Sequence, residues 1–494
     1  MPHGQHKIAA VLHHIAQQPV ECILLMLLPV WRQLLVNSEM SAARDLCCQL
    51  VTAVGPHTWP VWEELLEQCV GVANVALGER MIMLLAESLN SGLAGSDLQE
   101  ALIADQRHFY SMRAALALEE VASRAQLHQD LARRQVDDGV EDSWSIKARI
   151  SAFDTAKLEV GSTDPKATKH MVSVRPGDIV LVKAEQAQAV LGRVLSGGSN
   201  GHGSRHSSGS CSIGLHVLSE EWKVNPGAFQ IGASLALCGG VCYAATYERA
   251  CLALRGLSFG AVSPKPSACL SSVLRKSCAA EEAHAASDST EGENLSTGLT
   301  PAQAVIIRLV TQQTLTLVHG PPGTGKTFTA AQVAGAWLAG APAGGAKVLA
   351  VAESNAAADR LADALCLAVP GGHGGVLRVR WAASDSGDGQ SFGPEGGWPS
   401  FMQSLRTARA VVTTCVGSGH EVLRDVEFRW ILIDEATQAT EPAALVATCA
   451  AGAAAASHLC LLGDPQQLPP TVLSQHAQAY GLGASLFERL MKDG

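Results

Sequence analysis

The chain is 494 residues long, room for about three domains of ordinary size. Apolar residues make up 47% and charged residues 17%, the balance of a soluble globular protein with ample core-forming material. The net charge of −10 argues against a protein that grips nucleic acid by bulk electrostatics, so any strand contact must be local, made by backbone amides, hydroxyls and a few Arg or Lys side chains.

Residues 1–135 read as helices, with apolar positions recurring at three and four: Leu24, Leu27, Leu28, then Trp31, Leu34, Leu35. The apolar stretch Cys22–Leu28 is far shorter than the roughly 20 residues a bilayer needs, and the start lacks the basic region of a signal peptide. These features predict an intracellular protein with no membrane segment, nucleus or cytoplasm left open. Pro29-Val30-Trp31 with Leu34-Leu35 recurs as Pro60-Val61-Trp62 with Leu65-Leu66, a period of 31 (29 to 60). As a helical-hairpin repeat it would make residues 1–135 a scaffold holding a protein partner. Phe109 to Gln135 reads as one long helix with a charged side. The 14 cysteines are scattered with no CxxC pair at zinc spacing, which points to buried, reduced thiols rather than a metal site.

Residues 145–258 change character. Val174–Val182, Leu191–Leu195 and Ile213–Leu218 are short β-branched strands bounded by turn residues, the pattern of a small barrel. The run 197–211, rich in Gly and Ser and carrying His202, His206 and Cys211, reads as a flexible loop. Residues 246–258 read as a helix. Residues 259–298 form a linker, polar and acidic from Glu281 to Asn294. From Leu299 to Gly494 apolar strands alternate with helices, which predicts a parallel α/β domain. Within it, 370–400 is Gly-rich and reads as a surface loop.

Three motifs in the α/β part carry chemistry. Gly320-Pro321-Pro322-Gly323-Thr324-Gly325-Lys326-Thr327 follows the apolar strand 315–318 and opens an apolar helix at Phe328. A glycine-rich loop between strand and helix lets the backbone wrap phosphates and aims helix amides at the anion. In such a loop Lys326 reaches the β- and γ-phosphates of a nucleotide and Thr327 holds Mg²⁺. Four apolar residues, Trp430–Ile433, end in Asp434 and Glu435, placing two carboxylates at the tip of a buried strand where open α/β sheets bind ligands. Asp434 is the predicted Mg²⁺ partner and Glu435 the predicted base that orients and activates water. The strand 458–462 runs into Gly463-Asp464-Pro465-Gln466-Gln467, where Gln467 could hydrogen-bond the γ-phosphate.

GPPGTGKT, DEATQATEP and GDPQQLPP, in this order, resemble superfamily 1 helicases of the nonsense-mediated-decay type. The resemblance implies a RecA-like P-loop domain that binds ATP with Mg²⁺ and moves on single-stranded RNA or DNA. It makes Gln303, in Leu299–Gln303, the adenine contact, and completes a nucleotide site of Gln303, Gly320 to Thr327 and Phe328. It places Ser354 and Asn355, and the segment Thr414, Cys415, Val416 and Gly417, near the strand's backbone. It also implies a barrel inserted ahead of the motor domain, as at 172–218. Such helicases continue into a second RecA-like domain carrying arginine fingers, and no stretch of 1–298 reads as a substitute. The expectation is therefore a fragment or short product that binds ATP weakly and hydrolyses it poorly. The rival reading is a nucleotide-sensing scaffold that does not hydrolyse ATP. A ring-forming P-loop ATPase is disfavoured by the GDPQQL motif.

Overall fold

A computed structural model describes residues 59–70, 75–92, 100–134, 145–154, 157–162, 178–184, 190–200, 211–217, 234–259, 298–341, 346–380, 397–449 and 456–492, with Ser267 and a few single positions before 59. They fall into two compact units, Met1–Tyr247 with Leu473–Tyr480, and Glu248–Val472 with Gly481–Gly494. The helix that the sequence groups with the preceding strands is divided between them.

In the first unit, α1 (Trp59–Val70), α2 (Val75–Gly92) and α3 (Glu100–Arg134) are helices. Trp62, Leu65, Leu66 and Cys69 give α1 one buried stripe at helical spacing, and Met81, Ile82, Leu84 and Leu85 do the same for α2. α3 starts at Glu100, ahead of the helix read from Phe109. Arg113 in α3 is fully buried; it pairs with Glu67 and donates to the Tyr247 hydroxyl at 2.9 Å. A charge removed from water is tolerated only with such partners. The second copy of the 31-residue match lies in α1, while most of the first copy, with Leu24–Leu28, falls outside the described residues.

Six antiparallel strands follow: β1 (Ser145–Asp154), β2 (Lys157–Ser162), β3 (Asp178–Ala184), β4 (Val190–Asn200), β5 (Cys211–Val217) and β6 (Ser234–Tyr243). They close into a barrel in the order β1-β2-β5-β4-β3-β6. Val180 and Val182, and Ile213 and Leu215, are buried at the period of two that points alternate side chains inward. Residues 197–200, read from sequence as loop, are strand: Asn200 pairs with Cys211, after register shifts between Val194 and Ser199. Glycine-rich sequence suits such bulges as well as it suits a loop, which is why the two look alike. His202 and His206 lie outside the described residues.

In the second unit, α4 (Ala244–Phe259) contributes its residues from Glu248 on. Then come α5 (Pro301–Val310), β7 (Leu315–His319), α6 (Lys326–Ala339), β8 (Val348–Ala352), α7 (Asn355–Ala368), β9 (Val376–Arg378), α8 (Gly397–Thr407), β10 (Ala410–Thr414), β11 (Trp430–Asp434), α9 (Glu441–Cys449) and β12 (His458–Gly463). The sheet runs β7-β12-β11-β8-β10-β9, and all its pairs are parallel. β8 and β11 are buried along their whole length, as apolar runs covered on both faces should be. Trp337 of α6 stacks on Trp430 at 6.1 Å and donates its indole N–H to the Val310 carbonyl. Gly335 lets α6 approach α7: a Cβ there would lie 2.7 Å from the Ala368 carbonyl oxygen. The 370–400 stretch, read as loop, contributes an edge strand, since Val376, Leu377 and Arg378 pair with β10, and α8 begins at Gly397. Three residues are too few for periodicity to reveal; only the neighbouring strand defines them.

Candidate nucleotide and strand site

The loop between β7 and α6 has the backbone a phosphate cradle needs. Gly323 and Gly325 sit at φ +79° and +78°, where a Cβ is costly. Gly325 is the N-cap of α6 and offers no side chain to its first turn, so amides there face outward for an anion. Lys326 Nζ donates to the carbonyl oxygens of Gly320 at 2.6 Å and Pro321 at 3.3 Å, which keeps the ammonium over the loop. Thr324 donates its hydroxyl to the Pro321 carbonyl at 2.8 Å. Pro321, Pro322 and Phe328 are exposed at the rim.

Thr327 and Asp434 meet: the hydroxyl donates to Asp434 Oδ2 at 2.7 Å. Burial pushes the Asp434 carboxyl above its ordinary range, against the pull of hydrogen bonds from Thr327 and the Glu435 amide. Glu435 has φ +52°, the one positive φ at a non-glycine among the described residues. Such strain persists where the surroundings enforce it. The Glu435 side chain is held by Arg360 of α7, whose Nη2 lies 2.9 Å from Oε1.

Gln467 donates its amide to Asp464 Oδ2 at 2.8 Å. Asp464 also accepts from the Gln466 amide N–H, and its Oδ1 lies 3.2 Å from His319 Nε2. The Gln467 contact, then the Gln466 N–H, hold Asp464 below the usual carboxylate range. β7 and β12 are adjacent, so this trio ties the end of the P-loop strand to the GDPQQ loop. Gln303 completes a capping box with Thr300 and reaches Thr329 Oγ1 at 3.2 Å and the Thr324 carbonyl at 3.5 Å. It thereby braces the phosphate loop.

Thr414, Ala352 and Asp434 are level across β10, β8 and β11, so the Thr327–Asp434 pair and the segments that begin at Ser354 and Thr414 share one edge of the sheet. Ser354 and Asn355 are exposed there. Ser354 caps α7 by accepting from the Ala357 N–H, and Asn355 Oδ1 accepts from Arg378 at 2.9 Å. Arg378 and Arg380 both bind Asp359 at 2.7 Å. Burial raises the Asp359 carboxyl, and these two arginines outweigh it and hold it low. Thr414 accepts from the Gly417 N–H at 3.1 Å, and the Val416 carbonyl accepts from Arg249 at 3.0 Å. The Cys415 side chain is buried and Gly417 has none, so neither offers a strand a side chain. Burial, then the neighbouring Glu353, push the Cys415 thiol up, while burial raises the Glu353 carboxyl to about 7. Motif reasoning missed Arg360, Arg378, His319 and Glu353, because each acts through a neighbour supplied by another element.

The AAA domain family matches residues 299–385 and 400–475, the stretch that holds this edge. The ATP-dependent helicase upf1 of Schizosaccharomyces pombe is 32% identical over 236 residues, covering 39% of this chain and 24% of that one. The ATP-dependent helicase NAM7 of Saccharomyces cerevisiae is 32% identical over 234 residues, covering 40% and 23%. The chain thus spans about a quarter of the length of these curated relatives. The mouse DNA replication ATP-dependent helicase/nuclease DNA2 is 30% identical over 201 residues, covering 39% and 18%. Among solved structures, the UvsW helicase from bacteriophage T4 matches with a TM-score of 0.26 and 14% identity, over 37% of this chain and 58% of that chain.

The geometry of the loop between β7 and α6 and of the tip of β11 suits ATP and Mg²⁺. A buried carboxylate 2.7 Å from a hydroxyl is a hard-oxygen pair for Mg²⁺, and the adjacent ammonium and uncapped helix turn suit phosphates. Among the described residues there is no His, Cys, Asp and Glu cluster for a further metal, and no helix long and apolar enough to cross a membrane.

Proposed function

We propose that the chain is an ATP-dependent helicase or translocase acting on single-stranded RNA or DNA. The observation that carries this reading is the contact between Thr327 and Asp434 at the mouth of the phosphate loop, on the edge that also bears Ser354, Asn355 and Thr414. Lys326 and the first turn of α6 bind the β- and γ-phosphates, while Thr327 and Asp434 hold the ion. Bound Mg²⁺ would neutralise phosphate charge. Glu435 orients water and takes its proton, and Gln467, fixed by Asp464, meets the γ-phosphate. Gln303, beside the loop, reads adenine. Ser354, Asn355 and the backbone of Thr414 to Gly417 hold phosphates without reading sequence, which suits both RNA and DNA. Residues 1–135, which include α1, α2 and α3, provide a surface for a protein partner.

The test is binding of a fluorescent ATP analogue with Mg²⁺, and ATP turnover with and without single strands. Lys326→Ala abolishes analogue binding, whereas Glu435→Gln keeps it and loses strand-stimulated turnover. Analogue binding that survives Lys326→Ala refutes the reading.

A further inference from the structure

Arg360 is on the second turn of α7, the helix whose N-terminus carries Ser354 and Asn355. Its neighbour Asp359 is occupied by Arg378 and Arg380. Arg360 turns instead to the tip of β11 and pairs with Glu435 at 2.9 Å. Its side chain is 63% exposed, so the guanidinium stays open to an incoming anion, while Glu435 is 23% exposed. The carboxylate that the hydrolysis reading needs as a base thus has one oxygen held by the helix that the strand reading places against the nucleic acid.

We propose that Arg360 is a positioning residue that exchanges partners, holding Glu435 when no strand is present and releasing it to a backbone phosphate of a bound single strand. The inference rests on the function proposed above. A guanidinium binds phosphate in a bidentate fork with charge-assisted hydrogen bonds, so an arriving phosphate competes well for it. An exposed ion pair is weakly held, so the exchange costs little. Once free, Glu435 Oε1 can accept a proton from water, and strand binding at α7 is thereby linked to base availability at β11. Linkage makes the coupling reciprocal: anything that removes the Glu435 charge must strengthen the strand's hold on Arg360.

The experiment is a double-mutant cycle on the full chain, read by fluorescence anisotropy of labelled oligouridine RNA and oligothymidine DNA at fixed low salt. Retained binding of a fluorescent ATP analogue verifies that each variant is folded. Glu435→Gln is expected to tighten strand binding by about 1.4-fold to fivefold, the range an exposed ion pair allows. Arg360→Gln weakens strand binding, and in that background Glu435→Gln has no further effect. Arg360→Lys keeps part of the coupling, because it keeps the charge but not the fork. Arg360→Gln also raises strand-free kcat at unchanged KM for ATP. The exchange is overturned if the wild type binds strand but Glu435→Gln leaves its affinity unchanged, if the tightening persists in Arg360→Gln, or if strand-free kcat fails to rise. A wild type that binds neither oligonucleotide overturns the strand reading itself and the exchange with it.

Discussion

Glu353→Gln should stabilise the α/β unit at alkaline pH and not at acid pH. Glu353 follows β8 at the sheet edge, its Oε2 is buried without a hydrogen-bond partner, and burial raises its carboxyl from 4.5 to about 7. The unfolded chain loses this proton above pH 4.5, while the folded protein keeps it until about 7. Stability from the group is therefore complete below 4.5 and is lost as pH rises to about 7, after which the loss is constant. The lost amount is about 3 kcal/mol at one pH unit per 1.36 kcal/mol. Glutamine has the shape of the protonated acid and no proton to lose. Urea unfolding of wild type and Glu353→Gln at pH 5 and pH 8 measures the effect. The stability margin of the variant should grow by about 2–3 kcal/mol between the two, with groups common to both proteins cancelling. Equal margins at both pH values, or a margin that shrinks toward pH 8, would refute the buried-carboxyl argument.

Two further predictions concern the framework that holds the site. Gly335→Ala places a methyl 2.7 Å from the Ala368 carbonyl oxygen and forces α6 and α7 apart; urea unfolding should show a loss of about 1–3 kcal/mol, the usual range for overpacking. Thr300→Ala removes the cap on α5 that accepts from the Gln303 N–H; it should cost about 1 kcal/mol and also weaken binding of a fluorescent ATP analogue, since Gln303 braces the phosphate loop.

The glycine-rich loop and the paired acids were legible in the sequence because their groups follow one another along the chain. A strand, a glycine-rich loop and a helix place Lys326 and Thr327 by local geometry alone, and a buried strand ending in Asp434 and Glu435 has one outcome in a parallel sheet. Cys415 shows where motif reading stops: its place just after a buried strand is readable, but its burial against Glu353 depends on how β8 and β10 pair. The barrel's second and last strands are interrupted by glycine, its first is broken by a register shift between Ile150 and Ala152, and the edge strand at Val376–Arg378 is short, so only partner strands define them. The sequence by itself thus determined the phosphate loop, the paired acids and their order, since these depend on contiguous residues. Tertiary structure alone decided that Arg360 meets Glu435, that His319 reaches Asp464, and that Arg378 holds Asn355. Each of these joins residues from separate elements, and a salt bridge or hydrogen bond between separate elements leaves no periodic trace in the chain.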